Sequence, residues 1–188
     1  MPVLDQQELE QLQQTVARVL GALQQSSRIE NGALLVYVAP ENNTAALHKL
    51  RDETETALDI LSCISAVDYF PRDPRFELVY ELFSTVHQHR ARVKVQLADT
   101  GTQDVLPEVE SAHDVYLTAI WHERECFDLM GINFKHHPDL RRILLPDGWD
   151  GYPLRKEEPF DGKDSWRVGC NVEAGVQADS HLGLEVGD

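Results

Sequence analysis

Basic residues are scarce: 17 Lys and Arg stand against 32 Asp and Glu, for a formal charge of −15 over 188 residues. Phosphate binding draws on clustered Lys and Arg that displace counterions, so this balance argues against nucleic acid as a partner, and against direct binding to anionic lipid. Long apolar runs are missing as well, since no stretch approaches the roughly 18–20 consecutive apolar residues of a membrane-spanning helix. Any membrane association is therefore expected to come through partners. Met1 to Gln14 has no Lys or Arg, which lacks the basic flank of a secretory signal and the Arg-rich character of a transit peptide. The expectation is that the chain stays where it is made.

Cysteine is sparse. Cys63, Cys126 and Cys170 are odd in number and far apart, which suits neither a disulfide framework nor a Cys-x-x-Cys metal site. Three thiols also cannot hold a four-cysteine iron–sulfur cluster. Glycine-rich nucleotide loops, a Walker loop and a Gly-x-Ser-x-Gly elbow are all absent, which removes the usual support for nucleotide binding and serine hydrolysis.

What is present has a readable order. Leu9, Leu12, Val16, Val19, Leu20 and Leu23 recur at three- and four-residue intervals, so one helix is expected from Leu4, ending near Ser26 and Ser27. After the Asn31-Gly32 turn signal, Ala33–Ala39 reads as the first strand. Asn42, Asn43 and Thr44 are candidates to cap a second helix that runs toward Thr56. Leu58–Phe70 reads as a strand stopped by Pro71-Arg72-Asp73-Pro74. Alternation then predicts strands over Phe76–Phe83 and Val93–Leu97, joined through His87-Gln88-His89-Arg90. Ala112–Leu129 has helical spacing, and Gly131 supplies its stop. The order α-β-α-β-β-β-α predicts an α+β two-layer sandwich, with helices on one face of a mixed or antiparallel sheet. The expected division is an α+β domain over 1–134, an extended arm over 135–160 and an acidic, weakly ordered tail over 161–188.

Reactive side chains are densest in Trp121-His122-Glu123-Arg124-Glu125-Cys126-Phe127-Asp128. The plainest reading is a local ion-pair and hydrogen-bond network on a helix, where Arg124 and Glu125 each lie one turn from Asp128. A zinc-hydrolase motif would need a second His where Cys126 stands. A His122–Cys126 nucleophile leaves no room for an orienting group and an oxyanion hole. Glu125 and Asp128 are more simply solvated or paired than an acid–base couple. His136-His137 is better read as loop residues than as a ligand pair.

The arm is chemically distinct. Residues 1–134 hold 10 basic and 21 acidic side chains, whereas 135–160 hold 5 of each. Arg141, Arg142, Trp149, Tyr152, Arg155 and Lys156 crowd this Pro- and Gly-punctuated stretch. Arg and aromatic residues together are what interface centres use. Two readings stay open and are compatible: the arm faces a partner, or it wraps back onto its own domain.

The ordered run Glu123-Arg124-Glu125-Cys126-Phe127-Asp128-Leu129-Met130-Gly131, then His137-Pro138-Asp139-Leu140-Arg141-Arg142 and onward through Trp149, Tyr152, Arg155 and Lys156, closely resembles the signature of the 30 kDa (C-type) subunit family of NADH:quinone oxidoreductase, respiratory complex I. Val67-Asp68-Tyr69 and the strands over 76–82 and 90–97 are similar to the family's upstream landmarks. The likeness departs at Glu157-Glu158-Pro159, where the family usually has Asp-Tyr-Pro. The resemblance implies a structural subunit that carries no cofactor and packs against subunits B and D, with other peripheral-arm subunits as further candidate partners. FMN, Fe-S clusters and quinone would belong to those partners, at the cytoplasmic face of the bacterial inner membrane. Three rivals make different predictions. An equivalent subunit of a membrane-bound hydrogenase or ferredoxin-linked complex would have different neighbours. A small free-standing enzyme would enclose His122, Glu125 or Asp128 in a pocket. A regulatory module would associate weakly and reversibly.

Overall fold

In the computed structural model, which describes residues 4–102 and 105–159, helix α1 (Gln6–Leu20) opens with a reciprocal cap. The Asp5 carboxylate accepts from the Glu8 amide and the Glu8 carboxylate from the Asp5 amide, both at 2.8 Å. This satisfies two of the amides that a helix start leaves free. Leu9, Leu12, Val16 and Leu20 are buried along one face. The helix stops earlier than its apolar spacing predicts, at Gly21 (φ +56°), and a short turn over 21–23 carries the chain away.

Strand β1 (Gln24–Glu30) follows and was not expected, because its residues are mostly polar and exposed. It pairs antiparallel with β2 (Ala33–Val38) through the two-residue Asn31-Gly32 turn. Both turn residues have positive φ, at +52° and +72°, as a tight hairpin of this type requires. Helix α2 (Asn43–Asp52) leads to β3 (Ile60–Asp68), β4 (Phe76–Phe83) and β5 (Arg90–Leu97). The sheet order is β1-β2-β5-β4-β3, with β2 and β5 parallel and every other pair antiparallel. A three-residue parallel pair, β6 (Glu108–Glu110) with β7 (Asn133–Lys135), flanks helix α3 (Ala119–Met130).

The expected two-layer α+β sandwich with a mixed sheet is what the chain forms. Phe76, Leu78, Tyr80 and Leu82 of β4 and Ala91, Val93, Val95 and Leu97 of β5 point to one side. There they share a single core with Leu12 and Val16 of α1, Leu47 and Leu50 of α2, and Cys126 and Met130 of α3. On the opposite face, Arg28 and Lys94 lie over the Tyr37 ring at 5.3 and 5.9 Å, and Lys94 bonds Glu77 at 2.7 Å. Long side chains of this kind shield apolar surface while keeping their heads in water; Leu35 and Val79 are buried on that side.

Three local expectations need correction. Asn42 caps α2 without a side-chain bond, and Asn43 instead donates from Nδ2 to the Tyr80 hydroxyl at 2.9 Å inside the core. Helix α2 ends at Asp52, and Thr56 lies beyond it, donating its hydroxyl to the Leu50 carbonyl at 2.8 Å. Helix α3 begins at Ala119, seven residues after Ala112, because Val115 and Tyr116 turn into the core and the Tyr116 hydroxyl donates to the Leu58 carbonyl at 2.7 Å. The acidic tail 161–188 lies outside the described residues.

Candidate functional site

A helix leaves its last carbonyls without intrahelical partners, and at the C-terminal end of α3 the arm supplies them. The Asp128 carbonyl accepts from Arg142 Nη1 at 3.0 Å, and the Leu129 carbonyl accepts from the Leu154 amide at 3.1 Å. The Met130 carbonyl accepts from Arg155 Nε at 2.8 Å and the Gly131 carbonyl from Arg155 Nη2 at 3.1 Å. Two guanidinium cations at the negative end of a helix dipole also have favourable electrostatics. Gly131 ends α3 in the left-handed conformation, φ +68° and ψ +48°. A Cβ there would stand 2.6 Å from the Tyr152 ring and 2.7 Å from Arg155 Nη2. The glycine is needed both for its backbone and for the close approach of the arm.

Asp128 is the hub of the contact, with its side chain fully buried. Its Oδ1 accepts from Arg142 Nη1 at 2.8 Å, while Oδ2 accepts from the consecutive amides of Ile143, Leu144 and Leu145 at 3.0, 2.7 and 2.9 Å. Burial alone would raise its pKa. The bonds from Leu145, Arg142, Leu144 and Ile143 outweigh that and hold the carboxyl below the usual range. Arg142 also donates from Nη2 to the carbonyls of Trp149 and Gly151, both at 3.1 Å. Arg124 donates to the carbonyls of Arg141 and Arg142 at 3.1 and 2.9 Å and lies over the Trp121 ring. The helical network expected among Arg124, Glu125 and Asp128 is thus not the arrangement found. Arg124 and Asp128 turn to the arm, and Glu125 is exposed.

The arm's far end is tied to the sheet. Asp68 closes β3 and accepts two bonds from Arg75, at 2.9 and 2.8 Å, and one each from the Phe70 and Lys156 amides at 2.9 Å. Arg75 reaches Asp99 at 3.0 Å and also contacts Glu157. Burial by itself would raise the Asp68 pKa, but Arg75 and the two amides bring it down to about 2. None of the roles of Asp68, Arg75 or Asp99 was anticipated. Asp68 and Arg75 are seven residues apart across the proline turn, but their ties to Asp99, Glu157 and Lys156 span 24 to 88 residues, a range at which sequence spacing carries no signal.

Of the six arm residues singled out as partner-facing, Arg142 and Arg155 spend their guanidiniums inside the chain, and Tyr152 is sandwiched at 5.4 and 4.8 Å between them. Trp149 is half-buried, whereas Arg141 and Lys156 are exposed. Alongside them Leu144 and Leu154 are about 60% exposed (61% and 58%), as is Trp121 of α3 (59%).

The cluster offers little to reaction chemistry. Cys126 is buried with its thiol pKa pushed up to about 12 by desolvation, the opposite of an activated nucleophile. Asp128 is saturated by donors, and His137 has a buried side chain with both ring nitrogens engaged. Among the described residues no group of three or more His, Cys, Asp or Glu side chains is placed to hold a metal ion.

This arrangement lies within the stretch that a family profile matches. The profile for the respiratory-chain NADH dehydrogenase 30 kDa subunit matches residues 36–164. The chain belongs to that family. It is 42% identical over 160 residues to the NADH-quinone oxidoreductase C subunit of Acidithiobacillus ferrooxidans, covering 82% of this chain and 77% of the relative. It is 41% identical over 133 residues to the protein of that name from Roseiflexus castenholzii, covering 71% and 74%. Among solved structures, a chain of the membrane-bound sulfane sulfur reductase, an archaeal respiratory membrane complex, shares the fold with a TM-score of 0.65 over 95% of this chain and 94% of that one, at 19% identity.

Proposed function

We propose that this chain is a scaffold subunit of the peripheral arm of an NADH:quinone oxidoreductase, docking onto partner subunits through the outer side of residues 141–156. The observation that carries this reading is the division of labour in the arm. Arg142 and Arg155 fix its shape from within, and Arg141, Leu144, Leu154 and Lys156 are left on the outside. A preformed ridge binds without the ordering cost that a flexible segment meets on association, and exposed apolar side chains on a fixed loop mark interaction sites.

In this reading subunits B and D receive the ridge, and FMN, Fe-S clusters and quinone reside in partners. Attachment at the cytoplasmic face of the membrane then runs through the complex, in keeping with the lack of any described helix long and apolar enough to cross a membrane. The test is to tag the chain, extract native membranes in mild detergent and assay NADH-dependent quinone reduction in what co-purifies. Recovery of B and D with that activity supports the assignment. Hydrogenase subunits in their place would move the chain to a sister complex, and a lone chain would reject the scaffold role.

A further inference from the structure

Glu123 is wholly buried on α3, yet among the described residues no cation donates a hydrogen bond to it. Its Oε1 accepts from the Ala112 amide at 2.6 Å, and its Oε2 meets the Ser111 hydroxyl at 2.5 Å. From the arm, His137 Nε2 stands 4.0 Å away. That imidazole is occupied elsewhere: Nδ1 accepts from the Asp139 amide at 3.0 Å, so Nε2 carries the proton and donates to the Ile120 carbonyl at 3.0 Å. These bonds fix a neutral tautomer, and burial lowers its pKa further. The other groups facing Glu123 are neutral or averted. Tyr80 of β4 is a buried phenol bonded to Asn43 of α2, Cys126 is a buried thiol, and Arg124 is turned to the arm's carbonyls. An ionised carboxylate without a counter-charge is costly to bury, and burial pushes Glu123 up to about 7.

Ser111 leads from this carboxyl toward solvent. Its Oγ lies 3.1 Å from His113 Nδ1 and accepts from the His113 amide at 3.2 Å. The His113 ring is about a fifth exposed (21%), and its Nε2 is 3.0 Å from the exposed carboxylate of Asp114.

We propose that Glu123, Ser111 and His113 form a proton relay, carrying one proton between the buried carboxyl and an imidazole that reaches solvent. In the first state the Glu123 carboxyl O–H donates to Ser111 Oγ, the Ser111 O–H donates to His113 Nδ1, and His113 Nε2–H donates to Asp114. In the second, Ser111 donates to the Glu123 carboxylate and the imidazolium donates from Nδ1 to Ser111 and from Nε2 to Asp114. Both states fill the hydroxyl's capacity of one donated and two accepted bonds, because the His113 amide donates to it throughout. Passage between them breaks the Glu123 O–H, forms a new Ser111 O–H and moves the old one's proton to Nδ1, with no heavy atom displaced. Asp114 stabilises the imidazolium, which then gives its extra proton to surface water.

The test is a pH titration by NMR of the full chain labelled with 13C at glutamate carboxyls and 15N in histidine rings, with Glu123→Gln to assign the signal. The Glu123 carboxyl is expected to titrate near 7 rather than 4.5, with His113 Nδ1 sharing a common step, as coupled sites do. Ser111→Ala should separate the two curves, and Ser111→Thr should restore the shared step. Titration of Glu123 with the ordinary glutamates would overturn the proposal on the unmutated chain alone, whether or not either variant folds. A neutral midpoint with no matching change at His113, or curves unaltered in a folded Ser111→Ala, would overturn it too.

Discussion

Arg142 Nη1 donates to Asp128 Oδ1 at 2.8 Å, and the same guanidinium binds three arm or helix carbonyls. Its neighbour Arg141 is exposed and pairs only with exposed Asp139 among the described ion pairs. Adjacent arginines therefore have different work. Arg142→Ala strands a buried carboxylate, and removing one partner of such a pair costs about 2–4 kcal/mol where the cation is partly solvated. Arg141→Ala should leave the urea midpoint unchanged and weaken recovery of partner subunits instead. Equal loss of stability in both variants would contradict this division.

Gly131 tests the arm's seat from the other side. Alanine at a left-handed helix cap costs about 1 kcal/mol from backbone conformation alone. The new Cβ would also press on Tyr152 and Arg155, so Gly131→Ala should lose about 2–4 kcal/mol in total, since overpacking typically adds about 1–3. Hydrogen exchange should rise at the Leu154 amide, whose bond to Leu129 depends on the same seat. Unchanged exchange with full stability would mean that the arm does not rest on this glycine.

Much of this contact was legible in kind but not in partner. Gly131 could be read as a helix stop because a local conformation demands glycine there. The residues Arg124, Asp128 and Arg142 were legible as a dense charged signature, but spacing along one helix suggested Arg124–Asp128 pairing. The actual partners come from a loop 14 to 18 residues onward, which periodicity cannot locate. Strand β1 was missed because an exposed edge strand has no apolar alternation, although Asn31-Gly32 is a hairpin signal that implies a strand on both sides. Strands β6 and β7 are three residues each, too short for any period to register.

Acid titration should expose the tie between arm and sheet. Asp68 has a folded pKa of about 2 against 3.8, so the native state binds fewer protons than the unfolded chain between those values. Its contribution is complete above 3.8 and is lost as pH falls toward 2; at about 1.4 kcal/mol per unit it amounts to about 2 kcal/mol. Asp68→Asn should flatten this part of the curve, as measured by urea unfolding at stepped acidic pH. A variant with the parent's full acid slope would assign the loss to other carboxyls.

Glu123 carries the opposite sign. Its folded pKa is raised from 4.5 to about 7, so its stabilising contribution is complete below 4.5 and declines as pH rises to 7. Glu123→Gln keeps an acceptor for the Ala112 amide without the charge, and above pH ~7 it should be about 1–3 kcal/mol more stable than the parent. Identical unfolding curves in mild alkali would mean that the buried carboxylate is compensated after all.

The ridge itself is tested by changes that the isolated chain should tolerate. Leu144 and Leu154 are exposed, so Leu144→Asp and Leu154→Asp bury no charge in the free chain, and surface changes of this kind usually shift stability by less than about 0.5 kcal/mol. In an assembled complex the same carboxylates would be driven into an apolar contact, where an unpaired charge is heavily penalised. The double variant should keep the parent's urea midpoint yet lose at least about tenfold in recovery of partner subunits, the equivalent of about 1.4 kcal/mol. Normal assembly by a folded double variant would place the docking surface elsewhere, with exposed Trp121 and Leu117 of the α3 region the next side chains to change.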